Sequence, residues 1–128
     1  LDDDIALRPL ILIVDDELLI RESLADALTA FGYETLTAAG GEEALALYDS
    51  RDVAAIVTDI YMGGSDGFVL IHALRTRGDR VPIIVMSGGQ PELAKSIGAD
   101  ATLAKPFRPH QLMRMLDRLL DRRTIPVA

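Results

Sequence analysis

LILIVDDELLI (residues 10–20) opens with five apolar residues in a row, meets two adjacent carboxylates, Asp15 and Asp16, and then turns apolar again. A continuous apolar run, as opposed to an alternating one, is what a strand buried on both faces requires. Burying one carboxylate unpaired is expensive, and two neighbouring carboxylates repel each other as well. The end of this strand therefore needs either solvent or a cation.

Working outward, similar apolar runs recur at 54–58, 83–86 and 101–104, with a weaker one at 33–38. Helical spacing lies between them. Ile20, Leu24, Ala27, Leu28 and Phe31 share one stripe, and Gly32 is placed to stop that helix. A short second helix is expected over 42–48. A third runs over 66–77, with Phe68, Ile71 and Leu74 on one side and Gly78 at its end. A brief fourth covers 91–97, and a fifth, carrying Leu112, Met115, Leu116, Leu119 and Leu120, begins after Pro109. Five strands alternating with five helices predict an α/β, doubly wound, five-stranded parallel sheet of flavodoxin-like order 2-1-3-4-5, with helices on both faces. Ligands of such folds bind outside the carboxyl ends of the strands.

With 128 residues, 49% apolar and 26% charged, the chain suits a single domain (1–128, core about 8–122) with a substantial core. Apolar runs reach only five or six residues, far short of the ~20 that span a bilayer, so no membrane insertion is expected. The acidic opening LDDDIALRPL does not read as a secretory signal. Cysteine is absent, which excludes disulfides, thiol catalysis and Cys-zinc sites and fits a cytoplasmic location. A net charge of −7 argues against direct nucleic-acid binding, although Arg108, Arg114, Arg118, Arg122 and Arg123 gather in the last quarter.

The residues that follow the predicted strands carry the chemistry. Asp15 and Asp16 follow the first, Asp59 the third, Ser87 the fourth and Lys105 the fifth. Each has an ordinary explanation: Asp16 as a helix cap, Ser87 opening a turn with Gly88-Gly89, Lys105 as a surface residue before Pro106. The adjoining strand ends would nevertheless bring all five to one rim. Three carboxylates without His or Cys make a hard oxygen site suited to Mg²⁺. One of them can act as nucleophile toward a phosphoryl group, with an ammonium and a hydroxyl on the phosphoryl oxygens.

These residues, with Asp66-Gly67, the GAD at 98–100 and the KPF at 105–107, resemble the receiver domains of two-component response regulators, the chemotaxis-regulator-like family. The resemblance spans about 8–122. It implies that Asp59 takes phosphoryl from a phosphohistidine on a histidine kinase or histidine phosphotransfer protein. It further implies that Asp16 ligates Mg²⁺ together with Asp59, that Asp15 supports the metal, and that the Tyr61 backbone carbonyl is another ligand. Ser87 and Lys105 take the family's phosphoryl-binding roles, and signalling follows by conformational change without turnover of a substrate.

Three positions depart from the family pattern. Met62 is followed by Gly63 where Pro is usual, and Thr102 stands where an aromatic normally swings inward. The interval from Ser87 to Lys105 is also shorter by about one helical turn, ~3.6 residues. A shortened fourth helix weakens the case for the family's usual dimer, leaving at most a weak homodimer. The output partner is not legible. His72 and His110 have no partner at ligand spacing, and Gly40-Gly41 matches no phosphate fingerprint. The alternative reading is a phosphorylation-independent interaction module, which would not need all five rim residues. A phosphohydrolase would need a second acid near Asp59 and a cap, and a flavin binder would need a Ser/Thr-rich first loop where DDELLI is acidic.

Overall fold

The computed structural model describes residues 8–60, 66–87 and 91–121. Tyr61, Met62-Gly63, Gly88-Gly89 and Arg122-Arg123 lie outside them. The strands are β1 (Leu10–Val14), β2 (Glu34–Ala38), β3 (Ala55–Asp59), β4 (Ile83–Ser87) and β5 (Ala101–Ala104). The helices are α1 (Leu18–Ala30), α2 (Gly41–Ser50), α3 (Asp66–Thr76), α4 (Pro91–Ser96) and α5 (Pro109–Leu119). All strand pairs are parallel and the order is β2-β1-β3-β4-β5, as expected from the alternating pattern.

The continuous apolar runs fall on two opposite faces because successive strand residues point to opposite sides. Leu12, Val14, Ile56, Ile83 and Val85 pack on one side against α2 and α3, through Ala44, Leu70, Ile71 and Leu74. Ile11, Ile13, Val57, Ile84 and Met86 pack on the other side against α1 and α5, through Leu24, Leu28, Leu112 and Leu116. Full burial of such side chains contributes roughly 1.5–3 kcal/mol each. The leucines of α5 are thus core residues and leave no apolar stripe for a partner.

Helix ends follow the glycines. Gly32 adopts φ 97°, and the Tyr33 amide donates to the Leu28 carbonyl at 3.0 Å, closing α1. Gly78 does the same for α3 at φ 86°, with the Asp79 amide on the Leu74 carbonyl. Several boundaries differ from expectation. Tyr33 precedes β2, buried, its hydroxyl donating to Asp117 on α5. Pro109 is itself the first residue of α5, where its missing amide costs no helical bond. Asp59 and Ser87 are the last residues of β3 and β4 and do not stand past them. The ladder therefore holds both backbones, and only their side chains reach the rim. Helix α4 is six residues long. Below it, Arg75 of α3 donates to the carbonyls of Gly98 and Asp79 and to the Asp100 carboxylate, which also accepts the Ile83 amide.

Candidate functional site at the carboxyl edge of the sheet

The strand register decides which side chains meet. Val14 pairs with Thr58, Asp59 with Met86, and Ser87 with Ala104. The ladder continues one step past β5, where the Lys105 amide donates to the Ser87 carbonyl at 2.8 Å. Asp15, Asp59, Ser87 and Lys105 thereby end adjoining strands on one edge. The Lys105 ammonium donates to Asp59 Oδ2 at 2.9 Å and lies 3.9 Å from Asp15 Oδ2. The peptide after Lys105, to Pro106, is cis.

Asp15 is completely buried. Its amide donates to the Ala38 carbonyl, its Oδ1 accepts the Glu17 amide at 2.9 Å, and its own carbonyl accepts Arg21 Nη1 at 2.8 Å. Among the described residues its Oδ2 has no hydrogen-bond partner, Lys105 standing 3.9 Å away. Burial pushes the Asp15 carboxyl up from its ordinary value. The Glu17 amide and Lys105 oppose that rise, while the charges of Asp59 and Asp16 add to it. Burial works to push the Lys105 ammonium down, but its hydrogen bond to Asp59 and the charges of Asp59, Asp15 and Glu17 outweigh burial and raise it. Lys105 therefore stays charged at neutral pH.

The backbone around Asp59 is closely packed. Thr58, buried, donates its hydroxyl to the Asp59 carbonyl at 2.7 Å. Gly67, in the first turn of α3, lies so near that an added Cβ would stand 2.5 Å from the Asp59 carbonyl oxygen and 2.6 Å from Ile60 Cα. This explains a glycine inside a helix, where it ordinarily costs stability. Ser87 is buried at the rim and Asp16 is exposed beside Asp15. The Tyr61 carbonyl lies outside the described residues.

The residues fit a hard divalent cation. Three carboxylates and one ammonium leave two negative charges on the rim, and one oxygen, Asp15 Oδ2, is buried without a hydrogen bond. Among the described residues no group of three His, Cys, Asp or Glu side chains is assembled that could hold a metal ion by itself; Mg²⁺ takes only one or two carboxylates and keeps several waters. His72 contacts Thr76 on α3 at 3.4 Å. Two residues that the sequence reading did not single out belong here: Thr58 and Arg21. Thr58 sits inside an apolar run beside Asp59, a polar interruption that hints at a role. Arg21 carries no local signal, because its partner is a carbonyl on the preceding loop.

Beside Lys105, an open groove of about 730 Å³ is lined by Leu19, Ile20, Leu24, Pro106 and Phe107, among others. Leu18 and Leu19 of α1 are exposed next to it, at 54% and 79%.

Comparison with known proteins identifies the family. The family model described as the response regulator receiver domain matches residues 11–117. The chain is 36% identical over 116 residues to a probable transcriptional regulator, ycf27, of Cyanidium caldarium, covering 88% of this chain and 46% of that protein. It is 38% identical over 120 residues to the response regulator MprA of Mycolicibacterium vanbaalenii, covering 91% and 52%. The chain thus spans about half the length of the curated relatives it matches. Among solved structures, the chemotaxis response regulator CheY4 of Vibrio cholerae superposes with TM-score 0.79 at 33% identity, covering 88% of this chain and 98% of that one. The NtrX receiver domain of Brucella abortus gives 0.80 at 32%, covering 88% and 99%. Mg²⁺ and aspartyl phosphate are standard for the family. No helix among the described residues is long and apolar enough to cross a membrane. The chain belongs to the response regulator receiver domains, which act as signalling domains of two-component systems and not as turnover enzymes.

Proposed function

We propose that this chain folds as one receiver domain over residues 1–128, with its core at about 8–122, and accepts phosphoryl on Asp59. The observation that carries this reading is the Lys105–Asp59 contact of 2.9 Å beside the buried, hydrogen-bond-free Asp15 Oδ2. Mg²⁺ would be held by Asp16 and Asp59, with Asp15 in support and the Tyr61 carbonyl as a further ligand, and when bound it supplies charge neutralisation between carboxylate and phosphate.

The chain's own residues do the rest. An Asp59 carboxylate oxygen attacks phosphorus, an O–P bond forms, and the P–N bond to the donor imidazole breaks with its electron pair returning to nitrogen. Lys105 turns from Asp59 to the incoming phosphoryl oxygens, and the Ser87 hydroxyl donates to another. The ladder fixes the Asp59 backbone, so the carboxylate needs little reordering before attack.

The partners proposed are a histidine kinase or a histidine phosphotransfer protein, met in the cytoplasm where ATP charges such kinases. The apolar groove beside Lys105, with Leu18 and Leu19 exposed on α1, offers the donor a surface. Neither direct nucleic-acid binding nor membrane insertion is part of the reading, and homodimerisation is weak.

Intact-protein mass after incubation with a small phosphodonor tests the assignment. One phosphoryl adduct that needs both Mg²⁺ and Asp59, and disappears in Asp59→Ala, is expected. No adduct on a folded wild-type protein would favour a phosphorylation-independent interaction module, and an adduct that persists in Asp59→Ala would move the acceptor elsewhere.

A further inference from the structure

Three of the four polar groups of Asp15 are already committed. Its amide is held by Ala38, its Oδ1 by the Glu17 amide, and its carbonyl by Arg21. Among the described residues, Oδ2 alone of the four has no hydrogen bond. Two of the three restraints are backbone groups, of β2 and of the loop itself. The third is a side chain of α1, six residues further on, half-buried and pointing back at the loop. The carbonyl it holds belongs to the peptide that joins Asp15 to Asp16. The orientation of that peptide sets where the Asp16 side chain leaves the backbone.

We infer that Arg21 is a positioning residue for the metal site. By holding the Asp15 carbonyl it fixes the Asp15–Asp16 peptide, and with it the direction in which the Asp16 side chain leaves the backbone, before any ion binds. This deepens the reading above and rests on it. The inference runs against simple electrostatics. A guanidinium next to an acidic rim repels a divalent cation, so if charge alone mattered, its loss would tighten Mg²⁺ binding. If positioning matters, its loss loosens the loop, and binding must then carry the cost of ordering it. The two effects have opposite signs, which makes the role measurable without any phosphorylation assay.

The experiment is calorimetric titration of Mg²⁺ into wild type, Arg21→Met and Arg21→Lys, with the amide ¹⁵N shift of Asp16 recorded for each. Met keeps the apolar stem and removes both donor and charge. Lys keeps the charge and one donor on a flexible stem. With that charge-assisted hydrogen bond gone, Mg²⁺ affinity is expected to fall about tenfold in Arg21→Met. The expected loss in Arg21→Lys is smaller, and the Asp16 amide, bonded to the released carbonyl, moves in step with both. Urea unfolding of each variant shows whether the fold is retained, and Arg21→Lys carries the test if Arg21→Met does not fold. Equal or tighter Mg²⁺ binding in a folded variant overturns the role of Arg21 while leaving the site reading intact. A wild-type protein that binds no Mg²⁺ overturns the site reading, and this inference with it.

Discussion

Asp15→Asn is expected to make the metal-free protein more stable. Asp15 is fully buried, and among the described residues its Oδ2 lacks a hydrogen bond. The attraction of Lys105 at 3.9 Å is opposed by the like charges of Asp59 and Asp16, so burial decides the balance, raising the carboxyl's pKa and disfavouring the ionised form in the folded chain. Asn keeps an oxygen in place to accept the Glu17 amide at 2.9 Å. An unsatisfied buried polar group costs about 1–3 kcal/mol; since the new amide faces Lys105 with a donor, the net gain is set at about 1–2 kcal/mol. For a chain of this length each kcal/mol moves Tm by roughly 3–5 °C. The assay is urea and thermal unfolding of both proteins in chelator and in saturating Mg²⁺. Wild type gains about 2.7 kcal/mol when Mg²⁺ is a hundredfold above its Kd, and the variant gains less, so the gap narrows or reverses. Acidity provides a sign check. A raised folded-state pKa contributes stability that is present below the unfolded value and lost as pH rises through the folded value. In chelator the advantage of Asn therefore shrinks as pH falls through the Asp15 pKa. A variant less stable than wild type in chelator at neutral pH would refute this account of the buried carboxylate.

Gly67→Ala puts a Cβ 2.5 Å from the Asp59 carbonyl oxygen, a backbone atom that cannot step aside cheaply; a loss of about 1–3 kcal/mol by urea unfolding is expected, and a change below about 0.5 would show that α3 shifts freely. Arg75→Met removes the donors to Gly98, Asp79 and Asp100 that tie the α4–β5 turn to α3. Its side chain is 15% exposed against 41% for Asp100, so solvent discounts the ion pair and about 1.5–3 kcal/mol is expected, with faster amide exchange in that turn; unchanged exchange there would count against the tie. Thr102 is half-buried opposite Val85 and cannot supply the ~150–250 Å² that an inward-swinging aromatic buries. NMR spectra with and without a phosphate mimic are therefore expected to change less around β5 than around Asp59, and a large coherent shift centred on Thr102 would refute that.

The strands and their order were legible because burial on both faces leaves an unbroken apolar run, and the run at 10–14 shows it most plainly. The same logic marked Asp15, Asp16, Asp59, Ser87 and Lys105, since polar groups abruptly ending such runs need a reason. Helix stops were legible from Gly32 and Gly78, whose positive φ glycine adopts without a Cβ clash. Local pattern also misjudged details that depend on pairing: Asp59 and Ser87 are inside their strands because the ladder to β4 and β5 extends one residue further than apolarity does. Three features came only from the tertiary structure. Lys105 reaches Asp59 across 46 positions of chain, Gly67 presses on the backbone after β3, and Arg21 turns back to the Asp15 carbonyl. Apolar periodicity reports which face of an element is buried, a property of neighbouring residues. Which oxygen is left without a donor, and which guanidinium holds a carbonyl, depends on distances between elements that exist only once the sheet has closed its register.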